Sequence, residues 1–476
     1  MELTVKHNLV YCMSKSQANT FTPMLAGAAK TDITPPLGTY INGDFVAHYA
    51  TRIHDQLYAK SLVLQCGDTI VALVVVDICV IEKELVDETK GLIKTQTGIP
   101  YEHILISATH THAGGSVASV YLSAADIHYM RALPALIARS VTAAKLRMQP
   151  SRLAFGNVDV PAHARCRRFE MKESYTPLNP VNGTVEKVKT NPFGNENLIV
   201  RSVASPDPEV SYIAVQDLSG NWISVLANYS MHYVGDWDNG TISSDYFGVF
   251  SKRIQDKLKA GDDFIGIMSN GTSGDINIWD FLKTGNYPSG NFKKSELIGN
   301  DLAEKVFNSL DQAQWENEPV IEVRYEDLAV KLRKPSNDEL ERAKQIMAKT
   351  NYEGLQADDE GLRGIYAREQ VLLNELPAQL LLPMQAIKIG NVIIGALGGE
   401  IFAETGLWLK ANSPAEKYFT IGLANGNLGY VPPAHEMQAG GYETWRSRTS
   451  KLQEHTEQDM RNRMLSLLLS FTEENK

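Results

Sequence analysis

The chain has 476 residues, 43% hydrophobic and 21% charged, with a formal charge of −10 at pH 7. These values are those of a soluble globular protein with one large core or two ordinary ones. The acidic balance and the lack of a long basic tract exclude an evident nucleic-acid surface. No stretch reaches the roughly 18–20 uncharged apolar residues of a membrane span. Cys12, Cys66, Cys79 and Cys166 show no Cys-x-x-Cys spacing and read as free thiols. Residues 1–25 lack an apolar signal core and read as a disordered leader. That points to the cytoplasm, or to the periplasm or secretion if the native N-terminus was replaced.

In chain order, the fold is expected to begin near Ala26. Apolar runs at 61–65 and 69–76 flank Gly67-Asp68, a hairpin signal. An amphipathic helix follows over 83–95, then a strand over 104–109 and a long helix over 126–147. Residues 160–207 are irregular and rich in Pro, Asn and charge, which predicts a mobile binding loop. A second hairpin spans 210–216 and 222–229, followed by a helix at 246–258 and a strand at 264–268. Polar helices are predicted at 336–349 and 359–375, strands at 385–389 and 392–397, and helices at 403–410 and 450–471. The pattern predicts a single α/β catalytic domain, 26–476, of mixed β-sheets layered with helices.

Polar residues gather where apolar strands end, the usual place for sites on α/β scaffolds. His110-Thr111-His112 follows the strand at 104–109 and precedes Ala113-Gly114-Gly115-Ser116. Side chains two apart on an extended chain share a face, so both imidazoles look into one space, as metal ligands or as hydrogen-bonded structural groups. His232 leaves the strand at 224–229 and is either a third ligand or a core histidine. Glu400 follows Gly398-Gly399 and either binds a cation or caps the next helix. Tyr430, after Asn425-Gly426-Asn427-Leu428-Gly429, reads by its chemistry as a packing residue or substrate contact. The turn Asn270-Gly271-Thr272-Ser273-Gly274-Asp275-Ile276-Asn277 offers backbone N–H groups for an oxyanion, an Asp to orient an imidazole, or a plain solvent turn.

Ala29-Lys30-Thr31-Asp32-Ile33-Thr34-Pro35, Ala108-Thr109-His110-Thr111-His112, Met231-His232, Gly274-Asp275-Ile276-Asn277, Gly399-Glu400-Ile401-Phe402 and Asn425–Tyr430 occur in this order. Together, as islands across residues 26–445, they resemble the catalytic domain of the neutral/alkaline ceramidases, zinc-dependent hydrolases of an N-acyl amide. The resemblance implies Zn2+ held by His110, His232, Glu400 and Tyr430. It places His112 on the substrate carbonyl or its oxyanion, helped by Arg167 or, alternatively, Arg168. Asp275 or Asp245 then orients a ligand imidazole, with helix capping the other role open to Asp245. The implied substrate is a small or lipid-like molecule, hydrolysed by a metal-activated water.

Three departures mark a divergent, bacterial-type relative. Asn277 stands where the family has a serine near the attacking water. Ala-Gly-Gly-Ser replaces Ser-Gly-Pro after the histidine pair. The chain is also expected to lack the family's immunoglobulin-like C-terminal domain. The substrate end therefore differs, and two alternatives accompany the amidohydrolase reading. One is a zinc hydrolase of an ester or carbohydrate linkage, with Trp237, Trp279 or Trp445 stacking on a sugar. The other is a metal-free binding protein on the same fold.

Overall fold

The computed structural model describes residues 23–283, 285 and 287–473. Of the expected leader, residues 1–22 lie outside the described residues, while Met24 is fully buried. The first sheet contains β1 (Leu25–Asp32), β2 (Tyr58–Cys66), β3 (Thr69–Val76), β4 (Ile104–Ala108), β5 (Gln149–Asp159), β6 (Glu209–Asp217), β7 (Trp222–Tyr229) and β8 (Ile265–Asn270). Their spatial order is β8-β7-β6-β5-β1-β2-β3-β4, and a short strand, Gln314–Glu316, adds to β5. β3 and β4 are parallel, as are β7 and β8, whereas β2 and β3 form the expected antiparallel hairpin. Gly67 supplies the left-handed conformation (φ 56°) that this two-residue turn requires. In β4 all five residues are buried, as an apolar run covered on both faces should be.

A second sheet is built from β9 (Ile321–Lys331), β10 (Gln379–Ile389), β11 (Val392–Leu397) and β12 (Lys417–Ile421), with β11 and β12 parallel. The two sheets face each other across one apolar layer. There Leu62, Leu73 and Leu105 share a core with Ile387, Ile394 and Phe419. Helices α1 (Lys83–Thr97) and α2 (Ile127–Leu146) pack Ile93, Leu133 and Ile137 on the opposite face of the first sheet. The same service is done for β6–β8 by α3 (Asp245–Leu258) and α4 (Lys293–Ser309), through Phe250, Ile254 and Leu302. After the polar pair α5 (Asn337–Met347) and α6 (Asp359–Glu375), α7 (Ala403–Asn412) and α8 (Thr456–Glu473) cover the outside of the second sheet with Leu409, Met464 and Leu468. The result is the layered mixed α/β architecture expected, in the order helix, sheet, sheet, helix. Each fully buried Leu, Ile or Phe in these layers contributes about 1.5–3 kcal/mol.

Several elements differ from the sequence reading. The stretch 160–207 is not irregular throughout: Arg168–Met171, Val188–Thr190 and Ile199–Ser202 form a small sheet over Phe169 and Phe281. β9 escapes pattern reading because most of its residues are only half-buried and several are charged. α4 is obscured by Gly299, whose presence has a packing reason. A Cβ there would lie 2.6 Å from Val249 of α3, so only glycine permits this helix–helix approach. Among the described residues, no helix is long and apolar enough to cross a membrane.

Gly27 sets the distance between β1 and α2. A Cβ at that position would stand 2.2 Å from the Ala144 carbonyl oxygen and 2.8 Å from the Met148 nitrogen, both backbone atoms. Gly27→Ala should therefore destabilise the fold by about 3 kcal/mol in urea unfolding, since rigid backbone cannot yield as a side chain does. An unchanged unfolding midpoint would contradict this packing.

Candidate metal centre

The parallel strands of both sheets run towards the same end of the molecule, where their exit loops are stitched together. Asn425 donates its backbone N–H to the Ile106 carbonyl, Ala108 donates to Leu423, and Gly422 donates to Asn270. Asn270 in turn donates its side-chain amide to the Thr109 carbonyl at 3.1 Å. His110 (φ 74°), Leu423 (φ 51°) and Asn425 (φ 60°) all adopt left-handed backbone at this junction. Each costs about 1–3 kcal/mol, and such strain persists only where surrounding contacts enforce it.

Two buried imidazoles meet here with their far nitrogens face to face. His110 Nδ1 lies 2.9 Å from the Cys79 carbonyl oxygen, and His232 Nδ1 lies 3.1 Å from the Ser273 carbonyl oxygen. A carbonyl only accepts, so each Nδ1 carries a proton and each ring turns its Nε2 towards the other. Those two Nε2 atoms are 3.1 Å apart. Glu400 Oε2 stands 3.4 Å from the first and 3.8 Å from the second, is buried, and accepts no hydrogen bond. Three potential ligand atoms converge, with the Arg167 guanidinium beside one of them. A proton satisfies one or two of them, whereas a divalent cation satisfies all three, and two imidazoles with a carboxylate are a zinc-type set. His110, His232 and Glu400 thus form a group able to hold a metal ion. Burial lowers the pKa of His110, but the Cys79 sulfur and the Glu400 carboxylate reverse this and carry it well above the usual value. The pocket demands positive charge.

Tyr430 reaches the same point by strand pairing. Glu400–Ile401 and Tyr430–Val431 form a two-stranded parallel ladder in which Glu400 is directly opposite Tyr430. Burial raises the phenol well above its ordinary pKa, and the Glu400 carboxylate adds to this.

His112 Nε2 is 3.2 Å from His110 Nε2. Its ring stacks on Tyr233 at 3.5 Å and 12°. On another side Gly43 presses close: a Cβ there would meet His112 Cγ at 2.4 Å. Burial, then the charges of His110 and Arg167, hold His112 well below its usual pKa, so it is neutral at pH 7. The Arg167 guanidinium is fixed by Glu443 Oε1 at 2.7 Å and the Gly274 carbonyl at 2.7 Å, leaving Nη1 3.3 Å from His232 Nε2.

No family profile and no characterised protein sequence matches this chain. Solved structures do. The neutral ceramidase from Pseudomonas aeruginosa superposes with a TM-score of 0.72 at 18% identity, over 95% of this chain and 75% of that one. A ceramidase complexed with C2 gives 0.70 at 17% identity, over 95% and 76%. The fold is that of the neutral ceramidases.

On this ceramidase fold the structure brings His110, His112, His232, Glu400, Tyr430 and Arg167 together, and places the remaining candidates elsewhere. The histidine pair meets through the turn at His110, not through strand alternation, because β4 ends at Ala108. Arg168 points away, to Glu436 Oε2 at 2.7 Å and Glu443 Oε2 at 2.6 Å. Asp275 touches no imidazole: its Oδ1 accepts the Ala403 N–H at 2.8 Å and caps α7. Asp245 likewise accepts from the Val234 and Tyr246 N–H groups, so backbone carbonyls, not carboxylates, orient the His110 and His232 rings. The 270–277 turn consequently serves the site through its carbonyls, Ser273 and Gly274, instead of through N–H donors. Asn277 spends its amide on Asn191 and accepts from the Trp279 N–H. Trp445 is buried, Trp237 stacks on Phe292, and Lys294 covers Trp279 at 4.2 Å. Sequence reasoning missed Gly43, Cys79, Tyr233 and Glu443. Only Tyr233, adjacent to His232, carried a local signal.

Gly43→Ala should push the His112 ring off Tyr233 while leaving His110 and His232 in place, as a crystal structure of the variant would show. An undisturbed His112 would contradict the contact. Burial pushes Asp275 up to about 7 from an ordinary 3.8. An acid whose folded pKa exceeds its unfolded one stabilises the fold below the unfolded value and loses that contribution as pH rises through the folded one. Asp275→Asn keeps the Oδ1 cap without the charge. Its melting temperature should fall less steeply than wild type between pH 4 and 8; an identical slope would refute the assignment.

Proposed function

We propose that the chain is a zinc-dependent hydrolase of an N-acyl amide bond in a small or lipid-like substrate. The observation that carries this reading is the convergence of two carbonyl-oriented imidazoles and an unpartnered carboxylate oxygen on one buried point. His110, His232 and Glu400 would hold the ion, with the Tyr430 phenol as fourth donor. Zinc in such a set lowers the pKa of water towards neutrality and polarises a carbonyl.

The chain's own residues do the rest. His112 is neutral, so in its Nε2–H tautomer it donates to a carbonyl oxygen. Tyr233 and Gly43 hold its ring in one orientation, which lowers the cost of ordering it in the transition state. Arg167 is a cation already fixed by Glu443 and Gly274, and its remaining N–H groups face the histidines. Such a preset donor stabilises negative charge developing on a carbonyl oxygen without reorganisation. Because Asn277 is engaged with Asn191 and Trp279, no side-chain hydroxyl from that position takes part.

His110→Ala and His232→Ala should each abolish stoichiometric zinc and hydrolysis. Arg167→Lys should retain zinc but lower kcat by about 10²–10³-fold. Elemental analysis and a screen of N-acyl amides against esters and glycosides read both effects. Full zinc content and activity in either histidine variant would overturn the ligand set. Turnover confined to esters or glycosides would overturn the amide assignment.

A further inference from the structure

A second cleft, of about 840 Å3, is walled by residues 174–183, by α5 and α6, and by Trp445 and Arg446; none of the three clustered histidines lines it. Its volume is in the range of small-molecule sites. Charge in the cleft runs against that of the chain as a whole. Arg342 of α5, Arg363 of α6 and Lys189 from the small sheet enter it from three separate elements, and none forms an ion pair among the described residues. Arg446 is already matched by Glu339 at 2.9 Å. That leaves three cations facing Asp359 as the lone unmatched carboxylate of the lining. In a chain of net charge −10, three unmatched cations in one concavity concentrate a positive potential where anions are drawn in.

The lining is also rigid. Tyr366 and Trp445 meet edge to face at 5.5 Å and 84°. The Trp445 indole N–H donates to Glu186 at 2.8 Å, and Gln370 accepts from Arg446 Nε at 2.7 Å, so the lining is held before any ligand arrives. Trp445 directly follows the turn Tyr442–Thr444, whose Glu443 anchors Arg167.

We propose that this cleft is a binding site for a small organic anion bearing a phosphate or carboxylate group, seated against the turn that fixes Arg167. The guanidinium groups of Arg342 and Arg363 take the anion, for which planar N–H forks are suited.

Titration calorimetry of the full chain with phenyl phosphate and with benzoate tests it, the two probes sharing a ring and differing in the anion. At least one should bind and quench tryptophan fluorescence, and the tighter identifies the anion. Arg342→Ala/Arg363→Ala should weaken that binding at least tenfold without changing metal content, and Trp445→Phe should remove most of the quench. Binding of neither probe, or equal affinity in the double arginine variant, would overturn the proposal.

Discussion

The structure turns on two imidazole lone pairs held 3.1 Å apart beside a buried carboxylate oxygen. Were both nitrogens unprotonated they would repel, so the rings would not adopt this arrangement by preference. It persists because each ring is tethered from behind by a backbone carbonyl, Cys79 for one and Ser273 for the other. Donation to a carbonyl fixes the tautomer and turns the other nitrogen inward, the usual means by which an outer hydrogen bond prepares a metal-binding histidine.

Everything around this point secures the tethers. Cys79 follows β3, and Asp77 in the same exit accepts both the Lys60 ammonium and the Tyr58 N–H. Ser273 and Gly274 lie in the turn after β8, and Gly274 is pressed so close to the Glu400 carbonyl that a Cβ would approach it to 2.4 Å. Asp275 then caps α7, the helix that begins three residues beyond Glu400. One short turn therefore orients a ligand ring, anchors Arg167 and sets the helix behind the carboxylate. The apolar layer between the sheets gives these loops a common floor. Buried pairs such as Arg167–Glu443 and Arg168–Glu443 add geometric definition more surely than net stability, since desolvation offsets much of their attraction.

What could be read in the sequence was local. Apolar runs ending in His, Gly-Gly-Glu or Gly-Asp announced strand exits, and the β2–β3 hairpin and α2 followed from Gly67-Asp68 and from helical periodicity above the Asp126 cap. The layered α/β class followed from the same alternation. Features created by docking distant segments left no periodic signal, and only the family resemblance had put Glu400 and Tyr430 at one site. The Glu400–Tyr430 ladder joins residues thirty positions apart in separate loops, and Glu443 reaches Arg167 from the far end of the chain. Gly43 sits against His112 through a loop with no periodic signal. Asp275 was read as an orienting group because carboxylates often hold ligand histidines. Here backbone carbonyls already fill that position, and the carboxylate is free to cap a helix.

The central claim is that a metal ion belongs between His110 Nε2, His232 Nε2 and Glu400 Oε2. Anomalous diffraction from crystals of the zinc-loaded protein, collected on both sides of the zinc absorption edge, tests it most directly. The account predicts one strong peak within coordination distance of all three atoms, with the Tyr430 oxygen turned towards it. A map with no peak there, and the imidazoles joined to Glu400 through a shared proton or a water molecule, would contradict it.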